Sequence, residues 1–350
     1  MRNPKLRPRK KRLRFGTCPT PIVKEEQRSM RQEPNLKNSI SRIEDIKAEI
    51  AKVIRGKTQA IERVCTTLLA NGHLLLEDVP GVGKTTLAHT TAIVTGCPFR
   101  RIQFTADMLP SDLLGLSIFN QNNQDFDFRP GPIFSSIILA DEINRASPRT
   151  QSALLEAMND GQVTIDRVTH PLPQPFLVIA TQNPLESYGT YPLPDSQLDR
   201  FLMRIPLGYP PPEIEKQVLR NRTQISPLEQ LQSVTQPDDI LSLQKQIEHI
   251  RFEDTLQNYL FEIVHETRQS KLISIGVSTR GALLFHRAVR AHALVQGRKY
   301  VIPEDIKSLV LPCLAHRIVL TQNQGTWSPN HTRDSEQIHN YNHQRLSVPL

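Results

Sequence analysis

The sequence contains no apolar run long enough to cross a bilayer. Its longest runs, such as residues 137–140 and 176–180, hold four and five residues, whereas a membrane-spanning helix needs about 20. No positively charged start leads into an apolar segment, so the pattern of a secretory signal peptide is missing as well. We therefore expect no membrane span and predict a cytoplasmic protein.

Cysteine is also scarce, with four residues in 350: Cys18, Cys65, Cys97 and Cys313. Their spacing forms neither a CxxC pair nor any other arrangement typical of a metal site. Scattered cysteines of this kind are typical of reduced thiols in an intracellular chain. We expect neither a disulfide framework nor cysteine-bound metal.

Basic residues outnumber acidic ones, 43 to 35, but the excess is confined to one end of the chain. Residues 1–14 contain eight arginines and lysines and no acid, and the remainder is balanced at 35 of each sign. The net charge of +8 is therefore a property of this arm and not of a fold. Such an arm is most simply a solvated tail, although basic arms also bind nucleic acid or anionic lipid. Apart from the arm, we expect no nucleic-acid binding.

Apolar periodicity divides the chain into four segments. Residues 1–37 show none and are predicted to be disordered, and residues 323–350, rich in Asn, Gln, His and Ser, are predicted to be a loose tail. Residues 38–209 alternate strands with helices, which predicts an α/β core around a mainly parallel sheet. Tyr209 and the three prolines after it mark a boundary. Residues 210–322 then predict a C-terminal all-α domain.

Within the core, a first helix is predicted behind a possible Ser39 cap, because apolar residues recur there at helical spacing. Two segments near residues 117–128 and 161–173 are predicted to be β-hairpins. The predicted core strands are 73–77, 101–104, 137–140 and 177–180. The predicted helices of the C-terminal domain are 213–222, 237–248, 254–269, 279–295 and 303–317.

The strongest local signal is the heptapeptide Pro-Gly-Val-Gly-Lys-Thr-Thr at residues 80–86, between a predicted strand and a predicted helix. Such a loop directs backbone N–H groups and a helix N-terminus at phosphates. A glycine-rich turn that merely precedes Lys-Thr is the alternative, but the strand–loop–helix context favours a nucleotide site. The predicted binding residues are Pro80, Gly81, Val82, Gly83, Lys84, Thr85 and Thr86. Lys84 would contact the β and γ phosphates of ATP, and the Thr85 hydroxyl would coordinate Mg²⁺.

Two acids follow the predicted strand 137–140, and ligands of parallel sheets bind at the carboxyl ends of the strands. Asp141 is suited to coordinating Mg²⁺ through water, and Glu142 to activating the attacking water as a general base. A strand that simply ends in solvent with two charges is the alternative. The catalytic interpretation is favoured over this alternative because a phosphate-binding loop precedes the pair by about 55 residues.

Three further residues are candidates whose spacing does not decide between a catalytic and an ordinary role. Asn183, after the strand 177–180, could hold the water or the γ phosphate, but Asn-Pro alone starts a turn. Arg200 lies near a helix end, where a surface ion pair is the usual role of an arginine. Arg280 starts a later helix and could contact phosphates or be an ordinary first-turn residue.

Longer stretches resemble one family. Residues 75–86, 131–158 and 176–204 closely resemble the MoxR branch of AAA+ ATPases, most clearly in Leu-Ala-Asp-Glu-Ile-Asn-Arg-Ala at 139–146 and Gln-Leu-Asp-Arg-Phe at 197–201. The resemblance runs from about residue 38 to 320. It implies a P-loop AAA+ core with a helical lid domain, in which the hairpin near 117–128 is the helix-2 insert.

The resemblance also implies a role for each candidate. By position, Lys84 and Thr85 belong to Walker A, Asp141 and Glu142 to Walker B, Asn183 to sensor 1, Arg200 to an arginine finger that acts on a neighbouring subunit, and Arg280 to sensor 2. Two positions depart from the family pattern. Asp78 stands where the first P-loop glycine is usual, so its carboxylate must point away from the phosphates. Thr279 stands where proline is common.

Relatives of this kind are typically hexameric ATPases with a chaperone-like action on partners that often contain von Willebrand factor A domains. The resemblance therefore implies Mg²⁺-dependent ATP hydrolysis in a homo-oligomer that remodels a protein client. Three alternatives stay open: a nucleic-acid-dependent motor, the motor subunit of a metal chelatase, and a scaffold that binds ATP without turnover.

Overall fold

The structure is a computed structural model that describes residues 36–122, 124–183, 189–220 and 227–321. Its strands are β1 (Leu74–Glu77), β2 (Phe99–Gln103), β3 (Gly115–Asn120), β4 (Asp125–Pro130), β5 (Ile137–Asp141), β6 (Gln162–Ile165), β7 (Val168–Pro171), β8 (Leu177–Gln182), β9 (Met203–Ile205), β10 (Ile273–Ile275) and β11 (Val319–Leu320). Its α-helices are α1 (Leu36–Val53), α2 (Thr58–Leu69), α3 (Lys84–Thr95), α4 (Pro110–Leu114), α5 (Pro148–Asp160), α6 (Asp195–Leu198), α7 (Pro212–Arg220), α8 (Pro237–Gln246), α9 (Asp254–Gln269), α10 (Thr279–Val295) and α11 (Pro303–Leu314).

Five of these strands form one parallel sheet in the order β2-β5-β8-β1-β9. Every residue of β5 is buried, and so are the first five of β8. Strands covered on both faces are continuously apolar rather than alternating, which is why these two were recognisable in the sequence. The predicted α/β core with a mainly parallel sheet is confirmed.

Successive side chains of each strand enter two different cores, because strand residues point alternately to the two faces of the sheet. In β1, Leu75 packs in a core that includes residues of α4 and α5. Leu74 and Leu76 pack in a larger core that includes residues of α1, α2, α3 and the C-terminal helices. The second core is shared by both predicted domains, so the helical domain is packed directly on the sheet.

The C-terminal domain is helical, as predicted, and α10 and α11 lie against each other within it. A short antiparallel pair forms between β10, which precedes α10, and β11, which follows α11. Strands of two and three residues contain too few positions to show an alternating pattern, so the sequence did not predict them. Ser278 begins α10 as its N-cap and accepts a hydrogen bond from the Gly281 amide at 2.9 Å.

Both predicted hairpins are present. Strands β3 and β4 form one antiparallel pair between α4 and β5, and β6 and β7 form another between α5 and β8. Phe119 and Phe126 pack edge to face on the first hairpin and are exposed. The two hairpins are insertions that leave the parallel sheet unchanged.

Several predicted boundaries were wrong. Ser39 is not a cap, because α1 already includes Leu36 and Ser39 is buried inside it. The second strand begins at Phe99 and ends at Gln103, before Phe104. Its start was misplaced because it is an edge strand with exposed arginines, in which only Ile102 is buried. The last long helix ends at Leu314 and continues as one 3₁₀ turn.

The predicted arm and tail, together with residues 221–222 of the first lid helix, lie outside the described residues, except that Leu36 and Lys37 belong to α1. In the described part of the chain, no helix has both the length and the hydropathy needed to cross a membrane. Cys65, Cys97 and Cys313 are buried thiols, and burial raises the pKa of Cys65 and of Cys313 to about 12.

Candidate active site

The loop between β1 and α3 has the shape of a phosphate cradle. Gly81 and Gly83 have φ angles of +83° and +98°, which side-chain-bearing residues rarely adopt. No atom lies within 4 Å of the place where a Cβ would stand on either glycine. Helix α3 begins at Lys84, directly after Gly83, so its N-terminal amides border the same space. Backbone N–H groups around an open space fit the phosphates of a nucleotide.

The two charges of this loop point in different directions. Lys84 Nζ donates a hydrogen bond of 2.6 Å to the backbone oxygen of Asp78. The Asp78 carboxylate instead accepts from the amides of Val79 at 2.8 Å, Leu207 at 2.7 Å, and Gly208. The departure from the usual glycine therefore places no carboxylate in the phosphate space.

Asp141 and Glu142 follow one another at the end of β5. Asp141 is 9% exposed, and its Oδ1 accepts from Thr181 Oγ1 at 2.6 Å, while its Oδ2 accepts from Arg101 Nη2 at 2.7 Å. Thr181 Oγ1 in turn accepts from the Glu142 amide at 2.9 Å. One hydroxyl of the neighbouring strand therefore fixes both acids.

Glu142 turns the chain sharply after the strand. Its φ of +57° lies in the left-handed region, which is uncommon for a residue with a side chain and is concentrated at functional sites. Its Oε2 accepts from Gln103 Nε2 at 2.7 Å and from Arg145 Nη1 at 2.9 Å. The carboxylate thus has a defined direction at the edge of the sheet.

Strand register brings the predicted residues to that one edge. Gln182 of β8 pairs with Glu77 of β1, so Asn183 follows β8 at the level where the phosphate loop follows β1. Asn183 is 8% exposed. The loop residues, Asp141, Glu142 and Asn183 are all at the carboxyl ends of adjacent strands, where parallel sheets bind their ligands.

The same edge can hold a metal ion together with phosphates. No cluster of three or more His, Cys, Asp or Glu side chains within metal-binding reach occurs among the described residues. A Mg²⁺ ion on a nucleotide needs only one or two protein ligands, because phosphates and waters supply the others. The Asp141 carboxylate and the Thr85 hydroxyl are oxygen donors of the required kind.

Arg200 lies at the opposite edge of the sheet, the one formed by the amino ends of the strands. It comes three residues before Met203, which begins β9 and pairs with Leu74 at the start of β1. The intervening Leu202 donates its amide to the backbone oxygen of His73 at 2.8 Å, which is also before the start of β1. Arg200 is therefore near the amino ends of the strands, away from the phosphate loop.

Arg280 lies at this second edge too. Its Nη2 donates to the side chain of Asn159, near the C-terminal end of α5. The preceding residue of that helix, Met158, accepts a 2.9 Å hydrogen bond from His73 Nε2. Burial lowers the pKa of His73 to about 4, and the positive charge of Arg280 acts in the same direction.

The two edges are separated by the length of the central strands, four to six residues, which at a rise of 3.3 Å per residue is about 13–20 Å. The structure thus brings Lys84, Asp141, Glu142 and Asn183 together and places Arg200 and Arg280 elsewhere.

Comparison with known proteins finds one match for the core and another for the C-terminal region. Residues 73–203 match the model of the ATPase family associated with various cellular activities (AAA), and residues 265–339 match an AAA lid domain. Chaperone MoxR1 of Mycobacterium tuberculosis is 42% identical over 282 residues, 78% of this chain and 74% of MoxR1. The chain belongs to the MoxR family of AAA+ ATPases. It is an ATP hydrolase of chaperone-like type.

Two other proteins are similar to this MoxR-family ATPase over most of their length. YeaC of Bacillus subtilis is 49% identical over 271 residues, 77% of this chain and 85% of YeaC. The crystal structure of a candidate ATPase from Cytophaga hutchinsonii superposes with a TM-score of 0.79 at 39% identity, covering 89% of this chain and 97% of that one. The nucleotide-binding core and the lid are therefore shared architecture.

Sequence reasoning missed the residues that hold the two acids of this ATPase. Thr181, Arg101, Gln103 and Arg145 contact Asp141 or Glu142, yet only Asn183 was picked from the end of β8. Thr181 lies beside Asp141 because β5 and β8 pair with Ala140 opposite Ala180. That register was the signal, and a strand pattern alone does not specify it.

Proposed function

We propose that this ATPase works in a hexameric ring, in which Mg²⁺-dependent ATP hydrolysis drives the remodelling or activation of partner proteins. The observation that supports this proposal is the division of the predicted catalytic residues between two edges of one sheet. A single subunit presents a phosphate loop at one edge and two arginines at the other. A second copy is needed to complete each site.

The loop residues and Lys84 would hold the phosphates of ATP. Lys84 then exchanges the backbone oxygen of Asp78 for phosphate oxygens, which is favourable because charge-assisted hydrogen bonds are the stronger kind. The Thr85 hydroxyl and the Asp141 carboxylate would hold the Mg²⁺ ion, which neutralises charge on the phosphate oxygens during transfer. Thr181 keeps the Asp141 carboxylate directed toward that position.

Glu142 is the proposed general base. Its carboxylate is held by Gln103 and Arg145 at the edge where the phosphates would lie, so it is positioned to take a proton from an attacking water. Asn183 would orient the same water or the γ phosphate through a neutral amide, which leaves the charge balance of the site unchanged.

Arg200 and Arg280 would act on the nucleotide of a neighbouring subunit. Neither side chain spans the sheet to its own phosphate loop, since the strands between them are about 13–20 Å long. A guanidinium is always charged and bidentate, so it stabilises the charge that develops on a transferred phosphoryl group. The assignment of Arg280 to sensor 2 does not say whose nucleotide it contacts, and its position favours that of the neighbour.

The biological role follows from the family. We place the protein in the cytoplasm, where it would act on a protein client that contains a von Willebrand factor A domain, as the resemblance to its family implies. Support comes from the relative named Chaperone MoxR1 and from the described residues, which contain a core and a lid and no separate domain for processing a substrate.

Substitution of the proposed base tests the reaction. Glu142→Gln should retain ATP binding, because the amide still fills the site, while turnover falls roughly 100- to 10,000-fold with the loss of general-base catalysis. Nucleotide binding by fluorescence titration and phosphate release measure the two steps separately. Lys84→Ala is the comparison variant, which should lose binding itself. Hydrolysis at the full rate by Glu142→Gln would contradict the assignment.

The Glu142→Gln variant also tests the proposed remodelling of partner proteins, because a variant that holds ATP without turnover should keep its client bound. Recovery of a protein with a von Willebrand factor A domain supports the proposal. Recovery of a porphyrin-binding partner favours a metal-chelatase motor, and ATP binding without turnover by the natural protein favours a scaffold. DNA-stimulated hydrolysis that survives deletion of residues 1–14 favours a nucleic-acid motor.

A further inference from the structure

Arg317, which follows the last lid helix, is buried against the segment that carries Arg200. Its side chain is 1% exposed, and its Nε donates to Asp199 Oδ1 at 2.8 Å. Its other donors reach the backbone oxygens of Asp199, Phe201, Leu202 and Cys313. Three of these acceptors flank Arg200, so the backbone on both sides of that residue is held by one guanidinium from the lid.

Asp199 makes a second contact with the lid. Its Oδ2 accepts a 3.0 Å hydrogen bond from Ser278 Oγ, the hydroxyl that also caps α10. Arg280 is the second residue of that helix. Asp199 is therefore adjacent to Arg200 in the chain and one hydrogen bond away from the cap of the helix that presents Arg280.

Gly281 shows how closely the lid helix approaches the same guanidinium. A Cβ on Gly281 would lie 2.7 Å from Arg317 Cδ and 2.9 Å from Arg317 Nε, nearer than real Cβ contacts. Arg317 therefore packs directly on the first turn of α10, beside Arg280. The planar fork with five donors, which arginine alone offers, allows this side chain to hydrogen-bond the Arg200 segment at several points while its Cδ and Nε pack against Gly281.

We infer that Asp199, Ser278 and Arg317 form a clamp that positions Arg200 and Arg280 as one unit toward the nucleotide of the neighbouring subunit. These three are positioning residues, since they act through the two arginines. The inference rests on the proposed action of those arginines on a neighbour. It adds that the lid holds Arg200 in place, so that the two arginines move together.

Mixed assemblies of two variants test the clamp. Acceptor subunits carry Arg200→Ala and keep Glu142, and donor subunits carry Glu142→Gln and keep Arg200. Hydrolysis then arises only where an acceptor site meets a donor arginine. Unmodified donors should restore turnover to acceptors, and failure to do so contradicts the action on a neighbour itself, whatever the clamp does.

Substitutions of the clamp residues are then introduced into either the donor or the acceptor subunits, one type at a time. Asp199→Ala or Ser278→Gly in the donor should reduce the restored turnover roughly ten- to a hundredfold, the scale expected when a catalytic group is displaced by up to 1 Å. The same substitutions in the acceptor should cost much less, because the acceptor already lacks Arg200. A general loss of folding would lower turnover equally in either placement.

Matched controls separate the clamp from its surroundings. Asp195→Ala removes an acid of α6, the short helix that ends directly before Asp199, and Ser278→Thr keeps both the cap and the hydroxyl, so donors with either change should restore turnover fully. Ser278→Gly costs little as a helix cap, so it decides the matter if Asp199→Ala does not fold. Full restoration by Ser278→Gly donors, or equal losses in donor and acceptor, would overturn the clamp.

Discussion

Asp78 shows how one residue can leave a family pattern without disturbing the site. Its carboxylate accepts from the amides of Leu207 and Gly208, just after β9, where the core passes toward the lid. Lys57 Nζ holds the same turn by donating to the backbone oxygens of Leu207 and Gly208. Burial lowers the pKa of Lys57, and the nearby Asp78 charge opposes that shift. Asp78 thus anchors the turn between the two domains.

Replacing Asp78 with the glycine that is usual in the family should lower the stability of the fold. Asp78→Gly leaves three backbone amides without their acceptor, those of Val79, Leu207 and Gly208, and we expect a loss of about 2–4 kcal/mol in the free energy of unfolding. ATP affinity should change only a few-fold, since the carboxylate faces away from the phosphate space. Urea denaturation and nucleotide titration measure the two effects. Asp78→Asn, which keeps one acceptor oxygen, should lose less, and an unchanged stability of Asp78→Gly would contradict the anchoring role.

At the scale of elements, the pairing of β5 with β8 decides the geometry of the acids. Thr181 donates to Asp141 and accepts from the Glu142 amide, so a residue of one strand aligns two residues of the next. The site is therefore a property of the strand pair, and each strand end alone has only part of it.

Thr181→Val should uncouple these strand ends while keeping the packing volume. We expect kcat to fall roughly ten- to a hundredfold, because small displacements of catalytic groups are costly, whereas the KM for ATP should change much less. Steady-state kinetics separates the two constants. Thr181→Ser retains the hydroxyl and should remain close to the natural protein, and equal losses in both variants would contradict a hydrogen-bonding role.

The parts of this architecture that could be predicted are those with a local physical signal. Strands β5 and β8 are continuous apolar runs, and the phosphate loop has its glycines and lysine in one short segment. The start of β2 was predicted two residues late, because the exposed arginines of this edge strand interrupt the apolar pattern. The contact of Thr181 with Asp141 depends on register between distant segments, and no local pattern encodes it.

At the scale of the whole molecule, buried histidines should make folding sensitive to acid. Burial lowers the pKa of His73 from 6.5 to about 4. As the pH falls below about 6.5, the unfolded chain binds a proton that the folded chain cannot, so acid favours the unfolded state. Burial and the charge of Arg317 lower the pKa of His316 as well, with the same sign.

Between pH 7 and pH 5 we expect His73 alone to remove about 2 kcal/mol from the free energy of unfolding. Urea denaturation at the two pH values measures the change. His73→Gln has no proton to gain, so its stability should fall less over this range, by about the same 2 kcal/mol. An identical pH dependence in the two proteins would contradict the assignment.

The separation of the arginines from the phosphate loop by the whole sheet has a consequence for how activity depends on amount. A solitary chain would hold its nucleotide with no arginine from a neighbour to hasten the reaction. Dilution alone should therefore lower its ATPase rate. The rate per molecule should climb with protein concentration and level off once every copy has a neighbour. Abundance, without any added regulator, would then set when this ATPase works.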